Sequence, residues 1–318
     1  MMPKQKVKFK HRLEYTIFIA FITLVKISPL FLVKFSRKVL RYCFGKISKR
    51  HPGIVAKNLA IAFPHHGAEE KSRLTEAISR HFSSIFIEII YLFVKKHPEK
   101  ILKPLEIVHR DYLEQALAKK KGVVLFSAHF GNWELVPFIL SRELGQKINS
   151  VARKMDNPLV DKKVREFREY MGSCLINKTN AIRNILKSLE NNEILFILID
   201  QNTIEREAVF VDFFGKKASA VASVSQLHLR RNIPIVPVFI HYEPDKIVLE
   251  FQPEVEDPDA GNGKSTEALT RLTQKCTTLI EEKIKQYPEQ WFWFHNRWKT
   301  RPPGGEKNDI NQGGNHEA

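Results

Sequence analysis

Cysteine is scarce in this chain of 318 residues: three, Cys43, Cys174 and Cys276. They are too few and too widely spaced for a disulfide framework or a metal site, and they suit a reducing compartment. No G-x-S-x-G elbow occurs, so no serine sits on a strained strand-to-helix turn. Cys174 is not read as a nucleophile either. Internal repeats are absent. Acidic residues are nearly missing from the first fifty positions, where thirteen Lys and Arg face the single acid Glu14. The rest of the chain is close to balanced, with 38 basic and 34 acidic residues. The formal net charge of +16 therefore belongs mostly to one end. A nucleic-acid binder carries its excess on the folded body. An excess beside an apolar segment reads instead as attraction to anionic lipid.

What is present is the composition of a globular protein, 43% hydrophobic and 27% charged, long enough for one large core. A basic leader from Lys4 to Arg12 precedes Tyr15 to Val33, a mostly apolar run broken by Lys26 and Pro29. Lys34, Arg37, Lys38 and Arg41 follow at once. No small-residue cleavage site follows the run, which argues against a removed signal peptide. Two readings stand: a core helix of the soluble domain, or an uncleaved anchor that spans the bilayer or lies in its interface. The anchor is preferred. Basic residues on both sides leave its orientation open.

The expected organisation is a basic N-terminal anchor over residues 1–45, a main folded domain over 46–302 and a polar, Gly-rich disordered tail over 303–318. Ala68 to Lys96 has a long helical pattern whose second half, Phe82 to Val94, is apolar around Glu88 and is expected mainly in the core. Ile148 to Arg153, Ile194 to Ile199, Ile233 to His241 and Ile247 to Phe251 read as strands. Asn157-Pro158 opens a helix that stops near Gly172, and Thr179 or Asn180 caps another through Leu189. Phe213-Phe214-Gly215 ends a short strand or turn, and Ser219 to Arg231 and Thr266 to Gln286 read as helices. Alternation of this kind predicts an α/β fold with a mostly parallel central sheet flanked by helices.

The most informative stretch is Val123 to Glu134, VVLFSAHFGNWE. Its apolar start reads as a strand buried on both faces. His129 then stands at the C-terminal mouth of that strand, where open α/β sheets bind ligands. Asn132 is a candidate N-cap, with Trp133-Glu134-Leu135 opening the next helix. The His-x4-acid spacing alone proves little. With 12 His and 35 Asp+Glu, chance supplies about one such pair, and His65–Glu70 and His109–Glu114 also match. Only His129–Glu134 follows a buried strand with a turn glycine between its members. A turn there can fold Glu134 back onto the imidazole, fixing its tautomer so that His129 takes a proton from a hydroxyl. The competing reading is a histidine that satisfies a strand end.

HFGNWE, together with Asn58-Leu59, Phe63-Pro64 and the segment PEQWFWFHNRWKTRP from Pro288 to Pro302, resembles the late, acyl-carrier-protein-dependent acyltransferases of lipid A synthesis, the lauroyl and myristoyl transferases. The resemblance runs from about residue 10 to residue 303. It implies a glycerolipid-acyltransferase-like α/β fold with an N-terminal membrane-anchoring helix. It also implies transfer of a fatty acyl group from acyl carrier protein to the 3-hydroxyl of an acyl chain on a lipid A precursor. That chemistry needs no metal, cofactor or covalent enzyme nucleophile. The implied place is the cytoplasmic side of the cell inner membrane.

By the same resemblance His129 is the general base and Glu134 its orienting partner. Arg153 matches a basic residue that can hold a phosphate, the alternative being a surface salt bridge. Asp200-Gln201-Asn202 occupies the place of a Glu-Gly-Thr-Arg block in related glycerolipid acyltransferases; here the nearest Arg is Arg206. Asp200, Gln201 and Asn132 are candidate substrate contacts, Arg297 and Lys299 candidates for an anionic sugar headgroup, and Pro237 a structural residue. The aromatic segment is either a core plug or an interfacial belt. Two alternatives remain. One is an acyltransferase on another glycolipid or aminolipid; the other is a non-catalytic protein that binds anionic lipid.

Overall fold

A computed structural model describes residues 7–29, 52–95, 102–152, 154–177, 181–257 and 265–303, with scattered positions between 31 and 42. Arg153, the expected cap at Thr179 or Asn180 and nearly all of the expected tail lie outside the described residues.

Seven strands form the central sheet: β1 (Leu105–Val108), β2 (Val123–Ser127), β3 (Ile148–Ala152), β4 (Ser173–Asn177), β5 (Ile194–Leu198), β8 (Ile235–Tyr242) and β9 (Ile247–Phe251). Their order is β1-β9-β8-β2-β5-β3-β4. Every pairing is parallel except β8 with β9. The remaining strands, β6 (Ala208–Phe213) and β7 (Lys216–Val221), make a separate antiparallel hairpin. The mostly parallel sheet is thus the expected one. One assignment needs correction: Ser219 to Val221 is strand, and the helix there begins at Ser223. The small Ala218-Ser219-Ala220 run is helix-compatible on its own, but pairing across the Phe214-Gly215 turn holds it extended.

β2 sits inside the sheet and all five of its residues are buried. Its side chains divide between two core layers, as a strand's alternation requires. Val124 and Phe126 join helices α2 (Pro52–Ala62), α3 (Ala68–Lys95), α7 (Ala181–Glu190), α8 (Ser223–Arg231) and α9 (Thr266–Gln286). Val123 and Leu125 face α4 (Arg110–Ala118), α5 (Leu135–Leu144) and α6 (Pro158–Tyr170). Asn157 caps α6 as expected: its Oδ1 accepts from the amides of Leu159 and Val160. The apolar half of α3 is core, with Phe82, Ile85, Ile87 and Leu92 buried.

Helix α1 (Phe9–Ile27) buries no residue. It still packs on the domain along one side. Phe18 meets Phe93 edge-on, Val25 lies against Ile87 and Tyr91, and Asn157 Nδ2 donates to the His11 carbonyl and the Glu14 carboxylate, both at 2.9 Å. Its other side leaves Phe9, Leu13, Ile17, Phe21, Leu24 and Ile27 43–84% exposed. Such a helix is not a core helix. Among the described residues only Ala68–Val94 is long and apolar enough to cross a membrane, and half of its most apolar stretch is buried in the domain.

Candidate active site

β2 and β5 are parallel neighbours with Ser127 opposite Leu198. Two residues further on, their chains carry His129 and Asp200. The register therefore sets the imidazole beside the carboxylate. His129 Nδ1 lies 2.8 Å from Asp200 Oδ1, and the His129 amide donates to Oδ2 at 2.9 Å. The Trp291 indole donates to the same Oδ2 at 2.7 Å. An ionised carboxylate only accepts, so Asp200 selects the tautomer with its proton on Nδ1 and leaves a lone pair on Nε2. The Gln201 amide lies 3.2 Å from that Nε2 and can donate to it.

Asp200 is buried. Burial pushes its carboxyl up, but the adjacent His129, the bonds from its ring and amide, and the Trp291 indole outweigh this, and the group lies below the usual carboxylate range. The imidazole is therefore held by a fixed, buried carboxylate.

Glu134 does something other than expected. It stands at the head of α5, and its two oxygens take a fork from Arg168 of α6: Nε to Oε2 at 2.9 Å, and Nη2 to Oε1. Burial lowers the Arg168 pKa, but the hydrogen bond and charge of Glu134 more than restore it, and the net is a rise. With Nδ1 on Asp200 and Nε2 beside Gln201, neither ring nitrogen of His129 is held by Glu134. The carboxylate that bonds the imidazole is Asp200. Five residues carry Glu134 past the turn and onto the flank of α6, where a cation waits.

Asn132 is not the expected cap. It is fully buried, its carbonyl accepts from the Leu135 amide, and its Nδ2 makes a long 3.5 Å contact with the buried Glu88, which also accepts from the Tyr242 hydroxyl. A buried Asn132 is a poor substrate contact. Arg297 is likewise only 1% exposed, so it does not present itself to a headgroup. Its guanidinium lies 5.1 Å over the Phe213 ring and donates to the Ser219 carbonyl, and burial pulls its pKa down to about 10.

Of the two readings of the C-terminal aromatic segment, the core plug holds: Trp291, Trp293 and Trp298 are buried in the same core layer as Phe126 and Phe130. The segment also crosses the His129 turn. The Gly131 amide donates to the Gln290 carbonyl at 2.8 Å and the Phe292 amide to the His129 carbonyl at 2.9 Å, with Phe130 bridged to Trp291 between them. Gly131 has φ +54, and a Cβ there would come within 2.0 Å of the Ile240 carbonyl oxygen, so this turn requires glycine. Asn58 anchors the segment further on by donating to the carbonyls of Trp293 and His295 at 2.9 and 2.8 Å. His295 Nε2 accepts from the Asn202 amide at 3.0 Å, and burial lowers its pKa. Around the His129 ring stand Trp133, with centroids 5.0 Å apart, and Phe292, at 6.4 Å; Phe82 packs on both of these. The imidazole thus has one apolar, aromatic wall. Sequence reasoning placed no role on Trp291 or Arg168. The run of indoles was a signal for the first, but nothing local pointed to the second.

Residues 2–300 match the bacterial lipid A biosynthesis acyltransferase family. The chain belongs to that family. It is an acyltransferase. It is 24% identical to a lipid A biosynthesis lauroyltransferase of Escherichia coli over 81% of this chain and 82% of that protein. A lipid A biosynthesis palmitoleoyltransferase of the same organism is also 24% identical, over 80% and 81%. A phosphatidylinositol mannoside acyltransferase of Mycolicibacterium smegmatis is 24% identical over 78% and 79%. The family match thus spans nearly the whole chain, a range that contains both the His129 turn and the aromatic segment.

Proposed function

We propose that this acyltransferase moves a fatty acyl group from an acyl-carrier-protein thioester to the 3-hydroxyl of an acyl chain on a lipid A precursor. His129 is the general base and Asp200 its orienting carboxylate. The observation that supports this reading is the Nδ1–carboxylate bond of 2.8 Å, which leaves Nε2 as the acceptor of a proton beside an aromatic wall.

The acceptor hydroxyl displaces the Gln201 amide from Nε2. His129 removes its proton as the oxygen attacks the thioester carbonyl. The tetrahedral intermediate collapses, the carbon–sulfur bond breaks, and the imidazolium returns the proton to the departing thiolate. A thioester is activated enough for this direct attack. The freed Gln201 N–H serves the developing oxyanion. Arg153 is proposed to hold a phosphate of the acceptor. The exposed apolar side of α1, flanked by the basic leader, is proposed to lie in the cytoplasmic face of the inner membrane.

A second acceptor is kept because relatives named phosphatidylinositol mannoside acyltransferases match over a similar share of the chain. Purified enzyme, labelled acyl-carrier-protein thioester and each acceptor in mixed micelles separate the two. The expected product is acylated lipid A precursor, lost in His129→Ala. Transfer only to mannosylated phosphoinositide changes the acceptor, and no acyl transfer to any lipid hydroxyl sinks the reading.

A further inference from the structure

Three consecutive residues of the C-terminal segment touch both members of the proposed base pair. Gln290 and Phe292 bond the backbone on either side of Phe130, and Trp291 reaches through to Asp200. Gln290 is itself pinned: its side chain accepts from the Tyr242 amide and donates to the Tyr242 carbonyl, both at 2.8 Å. Trp291 is 1% exposed and its ring is edge-on to Trp293 and Phe213. Its N–H therefore has no freedom to leave Asp200 without moving the packed rings.

We infer that residues 290–292 are a positioning strap for the catalytic pair, and that the Trp291 indole N–H fixes and polarises Asp200 for its work on His129. This deepens, and rests on, the assignment of His129 and Asp200 as base and orienting carboxylate. Asp200 Oδ2 takes two donors, the His129 amide and the Trp291 indole, while Oδ1 takes the imidazole. With Oδ2 held by two donors, rotation of the carboxylate is opposed, so Oδ1 stays on the imidazole nitrogen. The indole also draws charge toward Oδ2 and away from the imidazole. Removing it leaves more negative charge on Oδ1, which holds the imidazolium proton tighter. The other titratable groups near the pair are His295 and Arg297, on the same C-terminal segment; both feel the charge of Asp200 and neither bonds the indole, while Glu134 is paired with Arg168.

The test is Trp291→Phe in the full chain, which keeps an aromatic ring and deletes the donor. Trp293→Phe is the matched control, because its indole donates at 2.6 Å to the Pro288 carbonyl instead. Transfer from acyl-carrier-protein thioester to lipid A precursor is followed across pH, with melting temperature measured alongside. Trp291→Phe is expected to lower kcat by about ten- to a hundredfold, less than the ~10²–10³-fold cost of losing a donor to the reacting oxyanion itself, because the indole acts through Asp200. KM should stay within about twofold, and the acid limb of kcat/KM should move to higher pH. Trp293→Phe should lower the melting temperature but leave the acid limb in place. If Trp291→Phe does not fold, benzothienylalanine at position 291 keeps the bicyclic shape, lacks the N–H and carries the same readout. A wild-type pH profile and kcat in either 291 variant, with Asp200→Asn inactive, overturns the strap while the base assignment survives. An active Asp200→Asn overturns both.

Discussion

His129 and Asp200 each stand two residues beyond a register pair, Ser127 and Leu198, on neighbouring parallel strands. The sheet, more than any loop, therefore delivers imidazole to carboxylate. His129→Ala should lower transfer by about 10²–10⁴-fold. Asp200→Asn should cost nearly as much, since it removes the acceptor that sets the tautomer. The double variant should be little worse than either single one, because the two act as a unit. Rate measurements on the four proteins settle it; fully additive losses would speak against a pair.

Glu134 and Arg168 give a contrasting outcome. Glu134→Gln and Arg168→Gln each break one fork between α5 and α6, and each should lower activity by loosening the turn that carries His129. Their coupling in a double-mutant cycle should be about 0.5–3 kcal/mol, the range for residues in contact. The acid limb of kcat/KM should not move in either, because Glu134 touches neither ring nitrogen. A shift of that limb in Glu134→Gln would return Glu134 to the imidazole.

The buried Arg297 predicts a separation of stability from substrate binding. Arg297→Met removes a guanidinium that stacks on Phe213 and bonds the Ser219 carbonyl. Calorimetry should show a changed melting temperature. KM for the lipid acceptor should hold within about twofold, since a fully buried side chain has no headgroup to lose.

His81 supplies a pH dependence of stability. Its Nε2 is sealed and unpartnered, and burial holds its pKa down to about 3. The unfolded chain binds a proton there from about pH 6.5 downward. Between about 6.5 and 3 the unfolded state holds the extra proton, so stability falls as pH falls, by at most ~1.4 kcal/mol per pH unit. Urea unfolding of wild type and His81→Phe over that window checks it. The variant's curve should be flatter by that one group's share.

The exposed side of α1 predicts surface attachment that salt does not undo. Replacing Phe9, Leu13, Ile17 and Phe21 with serine should release the enzyme from anionic vesicles. Raising the salt should not release wild type, because buried apolar area is not screened. Sedimentation with vesicles reads both. Turnover on acceptor in detergent micelles should survive the substitution far better than turnover on vesicle-embedded acceptor.

Local signals in the sequence carried much of this architecture. The Val123–Phe126 run, the Asn157-Pro158 start and the Thr266–Gln286 helix all appear where their residues put them. The pairing of the base did not. Spacing along the chain suggested Glu134, five residues away. The partner is Asp200, brought in by strand adjacency, and no local pattern says which apolar run lies beside which. Asp200 ends such a run, so its type and place were visible while its neighbour was not. Ser219–Val221 shows the same limit, since its strand exists only through β6. Arg168 reads as one more cation on a charged helix until α5 and α6 are set side by side.

The strap has a consequence for biosynthesis. His129 and Asp200 leave the ribosome long before Gln290, Trp291 and Phe292, so the sheet can assemble around a base pair whose carboxylate is still untethered. On the strap assignment, a chain that stops short of residue 290 lacks the indole that holds Asp200 and, with it, the buried Trp291, Trp293 and Trp298 of the core. Such a chain is expected to transfer acyl groups no faster than Trp291→Phe, so the last stretch to leave the ribosome sets when a new copy reaches its full rate.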